Sequence, residues 1–102
     1  MKLWIDDVRP APEGYVWLKS VNAAKRYISM ASPYGVADIN ISIDHDAGEY
    51  ANDGGDYIKL LDWFEETKRT PTSIRIHSMN PVGVENMRRI IRRNGWTEIK
   101  DI

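Results

Sequence analysis

Ile39-Asn40-Ile41-Ser42-Ile43-Asp44-His45-Asp46 decides the reading of the fold. A short, nearly unbroken apolar run stops abruptly at an acid, an imidazole and a second acid. Such a run reads as a strand buried on both faces, as in a parallel sheet covered by helices. Working outward, the same pattern occurs twice more. Leu3-Trp4-Ile5 runs into Asp6-Asp7, and Ile74 to Ile76 runs into His77-Ser78-Met79-Asn80. A fourth segment, Tyr15-Val16-Trp17-Leu18, has strand composition but follows the first after only Val8 to Gly14.

Three amphipathic segments lie between these runs. Ser20 is a sound N-cap for a helix with Val21, Ala24, Ile28 and Ala31 on one face, stopped by Pro33 and Gly35. A second helix is predicted from Asp56, with Tyr57, Leu60, Leu61 and Phe64 inward and Lys68-Arg69 at its negative end. A third follows Asn80-Pro81, with Val84, Met87, Ile90 and Ile91 inward and Asn94-Gly95 as the stop. Trp96 to Ile102 is expected to add a last short strand. Asp53-Gly54-Gly55 is a turn whose glycines supply positive φ, expected to form a mobile loop over the rim. Alternation of strands and helices predicts an α/β fold, a three-layer sandwich around a mainly parallel sheet, as one domain over residues 1–102.

Composition narrows the function classes. The 102 residues carry 14 basic and 15 acidic side chains, a net charge of -1 that gives no general pull toward DNA or a membrane. Cysteine is absent, which excludes disulfides, thiolate metal sites and thiol nucleophiles. No run approaches the roughly 20 apolar residues of a membrane span, and acid arrives too early for a secretory leader. A cytoplasmic location is the expectation.

The polar clusters all fall at predicted strand C-termini, where open α/β sheets place their ligand crevice. Asp6, Asp7, Asp44 and Asp46 would then share one rim, and crowded carboxylates repel unless a cation compensates. Hard oxygen donors suit Mg²⁺ or Mn²⁺, and two neighbouring imidazoles tilt the choice toward Mn²⁺ or another transition metal. Asp7 alone reads equally well as a turn residue. His45 and His77, the two histidines of the chain, both follow strand ends. They read as an acid–base pair or as metal ligands, and sequence does not separate the two. Ser78, Asn80 and Gly83 surround a helix start that can cap itself or cradle a phosphate. Arg88, Arg89, Arg92 and Arg93 form a basic face, either merely solvated or a track for nucleic-acid phosphates. Trp17 and Trp63 are packing residues or flank a ligand.

These pieces together resemble the cyclic-phosphate-processing receiver-like domain family. The matching stretches are Leu3-Trp4-Ile5-Asp6-Asp7-Val8-Arg9-Pro10 with Pro12 and Gly14, then Ser42-Ile43-Asp44-His45-Asp46-Ala47-Gly48. Gly55-Asp56-Tyr57 with Trp63, and His77-Ser78-Met79-Asn80-Pro81-Val82-Gly83 with Asn86-Met87, complete the set. The resemblance implies a receiver (flavodoxin-like) fold acting on cyclic phosphates of nucleotides or RNA ends. It carries functional weight onto Asp6, Asp7, Asp44, His45, Asp46, His77, Ser78 and Asn80. The short Val8–Gly14 link departs from an ordinary receiver. A parallel crossover takes a dozen or more residues, so the first helix is shortened or missing, or Tyr15–Leu18 is an irregular or antiparallel edge. The chain also stops before a final receiver-type helix, and Lys100 is poorly placed to serve as the receiver lysine.

The leading expectation is a phosphoesterase. Asp6, Asp7, Asp44 and Asp46 hold a divalent cation, His45, His77 and Asp44 are catalytic, and Ser78, Asn80 and Gly83 bind phosphate. The competing expectations are a non-enzymatic switch phosphorylated on Asp44, and a module that binds a nucleotide or RNA end without chemistry.

Overall fold

The computed structural model describes residues 1–34 and 38–100. Four strands, β1 (Lys2–Ile5), β2 (Val16–Leu18), β3 (Asn40–Ile43) and β4 (Ser73–Ile76), form one sheet in the order β2-β1-β3-β4. Every pairing is parallel, with Leu3 opposite Val16 and Ile41, and Ile41 opposite Ile74. The order is that of a receiver-like flavodoxin fold, whose chain reverses direction of winding between β1 and β3.

β2 is therefore a parallel edge, and the helix after β1 is missing altogether. The connection over residues 6–15 is held by local hydrogen bonds instead. Asp6 Oδ1 accepts from the Val8 and Arg9 N–H groups, and Tyr15 N–H donates to the Pro12 carbonyl. Trp4 Nε1–H closes the loop onto the Arg9 carbonyl at 2.8 Å.

The helices are α1 (Val21–Ala31), α2 (Ile58–Glu66) and α3 (Pro81–Asn94). Ser20 Oγ caps α1 by accepting from Ala23 N–H, and Asn80 Oδ1 caps α3 by accepting from Gly83 N–H at 3.0 Å. Gly95 closes α3 in the left-handed region, as the Asn94-Gly95 stop predicts. α2 is shorter than its periodicity predicts. Asp56 lies before it, with Oδ1 accepting from Ala47 N–H, and Lys68 lies beyond it with φ 57. Of the predicted inward residues, Ala31 is exposed and Val84 only half-buried, while Gly83 is buried. Gly35, one of the two predicted stops of α1, lies outside the described residues.

One core joins Leu3, Ile5, Leu18, Ile41, Ile43 and Ile74 of the sheet to Val21, Ile28, Leu60, Leu61, Phe64, Met87, Ile90 and Ile91 of the helices. These strand residues share one face. The other face presents Lys2, Trp4, Trp17, Asn40, Ser42, Ser73 and Arg75, and among the described residues no helix covers it. The α/β class and parallel sheet are as expected, but the expected third layer is not built by the described residues. The reason is in the strands. Asn40 and Ser42 alternate with isoleucines, as do Ser73 and Arg75, a period of two that marks one buried face.

The expected final strand over 96–102 reduces to one parallel bridge between Glu98 and Ile74, and residues 101–102 are outside the described set. The Asp53-Gly54-Gly55 turn is pinned rather than free. Asp53 accepts from Ser20 Oγ–H at 2.6 Å and Asn22 Nδ2–H at 3.1 Å, and its carbonyl accepts from Asn22 N–H. Both glycines have positive φ, as predicted.

Ser20 thus serves two partners at the start of α1. Ser20→Ala is expected to lower unfolding free energy by about 1–2 kcal/mol, measured by urea denaturation. A change within error would show that the cap and the Asp53 anchor contribute nothing.

Candidate functional site

β1 and β3 are neighbours, so the acids that follow them meet. Carboxylate oxygens of Asp6, Asp7 and Asp44 lie within 4.8 Å of one another. Asp6 is fully buried, and its two oxygens are occupied differently. Oδ1 holds the Val8 and Arg9 N–H groups, and Oδ2 accepts from His77 Nε2–H at 2.9 Å. Burial opposes the Asp6 charge, yet those hydrogen bonds and the imidazole outweigh it and hold its pKa below the ordinary carboxylate value. Asp7 moves the other way, its pKa raised by burial and by the negative charges of Asp6 and Asp44. Gly48 makes room for Asp7. Its φ is +57, and a Cβ there would collide with Asp7 Oδ2. The same three charges, after burial itself, push the Tyr57 phenol upward.

Asp46 is not part of this group. It lies with His45 and Asp56 in a second cluster, whose ligand atoms are also within 4.8 Å of one another. Asp46 Oδ1 accepts from His45 Nδ1–H at 2.8 Å and from Asn80 Nδ2–H at 3.3 Å. The His45 hydrogen bond is the main reason the Asp46 pKa is lowered. The His45 ring packs where a Cβ on residue 83 would stand, so Gly83 is the residue that admits it.

The two histidines are not equivalent. A carboxylate only accepts, so His77 Nε2 carries the proton shared with Asp6, and in the neutral ring Nδ1 accepts from Ser42 Oγ–H at 2.8 Å. The His77 ring also stacks on Trp4, centroids 4.0 Å apart and 7° from parallel. Both nitrogens of His77 are committed. His45 spends one nitrogen on Asp46, and its Nε2 has no hydrogen-bond partner among the described residues.

A cleft of about 260 Å³ opens beside the acids, lined by Val8, Arg9, Asp44, Asp46, Ser78, Met79 and Asn80. Ser78 Oγ accepts from Asn80 N–H. Asn80 and Gly83 satisfy each other through the helix cap, so the start of α3 is partly self-capped. The basic face of α3 is largely neutralised, with Arg88 on Glu98, Arg92 on Glu85 and Arg93 on Glu65. Trp17 Nε1–H donates to the Asp6 carbonyl, whereas Trp63 packs on Phe64 and under Arg69, remote from the acids in the fold.

Ser42, Trp4, Gly48 and Arg9 lie in the stretches that carry the resemblance, but no sequence pattern assigns them a role of their own at the site. Ser42 is a buried hydroxyl in a strand, a signal that something must bond it. Gly48 follows an acid cluster, where a close approach is a common reason for glycine.

The sequence matches the model of the cyclic-phosphate processing receiver domain over residues 1–93. The chain belongs to that family. No curated protein and no solved structure matches it significantly. Among the described residues, no helix of this receiver domain is long and apolar enough to cross a membrane.

The residues fit a divalent cation. Among the described residues no ion pair reaches Asp7 or Asp44, so two of three close carboxylates lack a compensating charge. A carboxyl with a raised pKa penalises folding above that pKa, and the penalty disappears below the unfolded value. Asp6, with its lowered pKa, stabilises above the unfolded value, and that contribution goes as pH falls through the folded one. Asp7→Asn is therefore expected to raise the melting temperature at pH 7 by a few degrees, on the order of 1 kcal/mol. On mild acidification the native protein gains stability relative to the variant, and at still lower pH both lose the Asp6 contribution. A variant less stable than the native protein at pH 7 would contradict the charge-crowding account.

Proposed function

We propose that this receiver domain hydrolyses a cyclic phosphate on a nucleotide or RNA end. The observation that carries the reading is the meeting of Asp6, Asp7 and Asp44 beside the His45–Asp46 pair, in a chain of a cyclic-phosphate processing family. Asp6, Asp7 and Asp44 hold the cation, Mg²⁺ or Mn²⁺, which when bound offsets the negative charge of the phosphate.

The chain's own residues do the rest. Arg9, Ser78 and Asn80 line the cleft and orient the phosphate oxygens. His45 Nε2 takes the proton of the attacking water while Asp46 fixes the ring and favours the imidazolium. The new bond is water oxygen to phosphorus. The bond to one ribose oxygen breaks, and that oxygen takes a proton from solvent admitted by the open cleft, leaving a phosphomonoester. His77 is a positioning residue, tying the Asp6 carboxylate to Ser42 and Trp4.

One observation favours a second reading. Asp44 follows β3 beside Asp6 and Asp7, as an acceptor of a phosphoryl group in a switch would. A stable mass increase of one phosphoryl group after treatment with a small phosphodonor would favour it over hydrolysis.

The test is product analysis on 2′,3′-cyclic and 3′,5′-cyclic nucleotides, ADP-ribose 1″,2″-cyclic phosphate and an RNA ending in a cyclic phosphate. Turnover with Mg²⁺ or Mn²⁺ is expected, abolished by excess chelator. His45→Gln should reduce kcat by about 10²–10⁴-fold with the fold intact. No turnover on any substrate, or full activity in His45→Gln, overturns the assignment.

A further inference from the structure

The uncovered face of the sheet has a composition of its own. Where a docked helix would require apolar residues, it presents Asn40, Ser42 and Ser73 between the aromatic rings of Trp4, Tyr15 and Trp17. These polar groups are satisfied without a covering helix, Ser42 by His77 and Ser73 by Asn40 Oδ1. Among the described strand residues the free charges of this face are cationic: Lys2 stands on β1, Lys19 follows β2, and no acid occupies a strand position on this side. The ammonium of Lys2 lies 5.7 Å from the Tyr15 ring centre and that of Lys19 lies 4.4 Å from Trp17. Lys2 and Lys19 are exposed, and the rings are half-buried. A depression of about 180 Å³ lined by Lys2, Tyr15, Asn40, Ser42, Ser73 and Arg75 lies in the same face.

Aromatic rings interleaved with cations on an open sheet suit a ligand that is flat and apolar at intervals and anionic between them. We propose that this face is a platform for single-stranded RNA whose 3′ end enters the carboxylate cleft. A chain of side-chain contacts links the face to the cleft. Trp4 belongs to the face and stacks on His77, His77 bonds Asp6, and Arg9 of the cleft rim donates to the His77 carbonyl. From Lys2 to the level of Asp6 the strands rise about 13 Å, room for roughly four stacked nucleotides. The choice of RNA over DNA rests on the cyclic-phosphate reading, because a 2′,3′-cyclic phosphate requires the 2′ oxygen.

The test uses the full chain and an RNA of about ten nucleotides ending in a 2′,3′-cyclic phosphate. The reference is the cyclic mononucleotide of the same terminal base. The RNA is expected to bind at least about tenfold tighter and to quench tryptophan emission. Lys2→Glu combined with Lys19→Glu, its fold verified by circular dichroism, should remove that advantage. The slope of log affinity against log salt should fall in magnitude by about 1.4, or 0.7 for each lost phosphate contact on a single strand. Should the pair fail to fold, Lys19→Gln alone is expected to give half that change.

Equal affinity for RNA and mononucleotide, or RNA binding unmoved by the substitutions, overturns the platform. So does a concentration-dependent dimer that the substitutions dissolve, which would assign the face to a second copy. An RNA with a plain 3′ hydroxyl separates the two proposals. If it binds through this face while no cyclic phosphate is turned over, the platform stands and the hydrolytic reading falls.

Discussion

The buried carboxylate of Asp6 is the constraint on which the rest of the structure depends. A charge with no exposure to solvent is costly unless it is fully bonded. Here two backbone N–H groups and one imidazole supply the bonds. The N–H groups come from Val8 and Arg9, so satisfying Asp6 also shapes the helix-free turn between β1 and β2. The imidazole comes from His77, so the same carboxylate fastens the end of β4 across β3 to β1. Ser42, in the strand between, completes the bracket. With this frame in place, Asp7 and Asp44 are brought together, and burial first, then the charges of Asp6 and Asp44, raise the pKa of Asp7.

That frame divides the two histidines. His77 is enclosed by Trp4, Ser42 and Asp6, and its removal would leave a buried charge short of a partner. His45 is held at one nitrogen by Asp46, itself tied to the cap of α3 through Asn80, and its other nitrogen has no partner among the described residues. Gly83 and Gly48 are the spaces that make both arrangements possible, one admitting an imidazole and the other a carboxylate.

Much of this was legible in the sequence. The strand ends at Asp6, Asp44 and His77 were visible because apolar runs stop at them, and the caps at Ser20, Asn80 and Gly95 follow from local chemistry alone. The partition of the acids was not. Asp44 and Asp46 are two residues apart, and only the turn after β3 sends one toward Asp7 and the other toward Asn80. The open face was legible but overlooked, since Asn40 and Ser42 interrupt the isoleucines with a period of two. The roles of the histidines depend on contacts with Ser42 and Gly83 far along the chain, which no local pattern encodes.

The direct test of the central claim, that Asp6, Asp7 and Asp44 form a cation site, is a calorimetric titration of the protein with Mn²⁺ in native and Asp44→Asn forms. The account predicts saturable binding of one ion per chain to the native protein and a loss of about tenfold or more in affinity on substitution. No saturable binding, or equal affinity in the two forms, would contradict it.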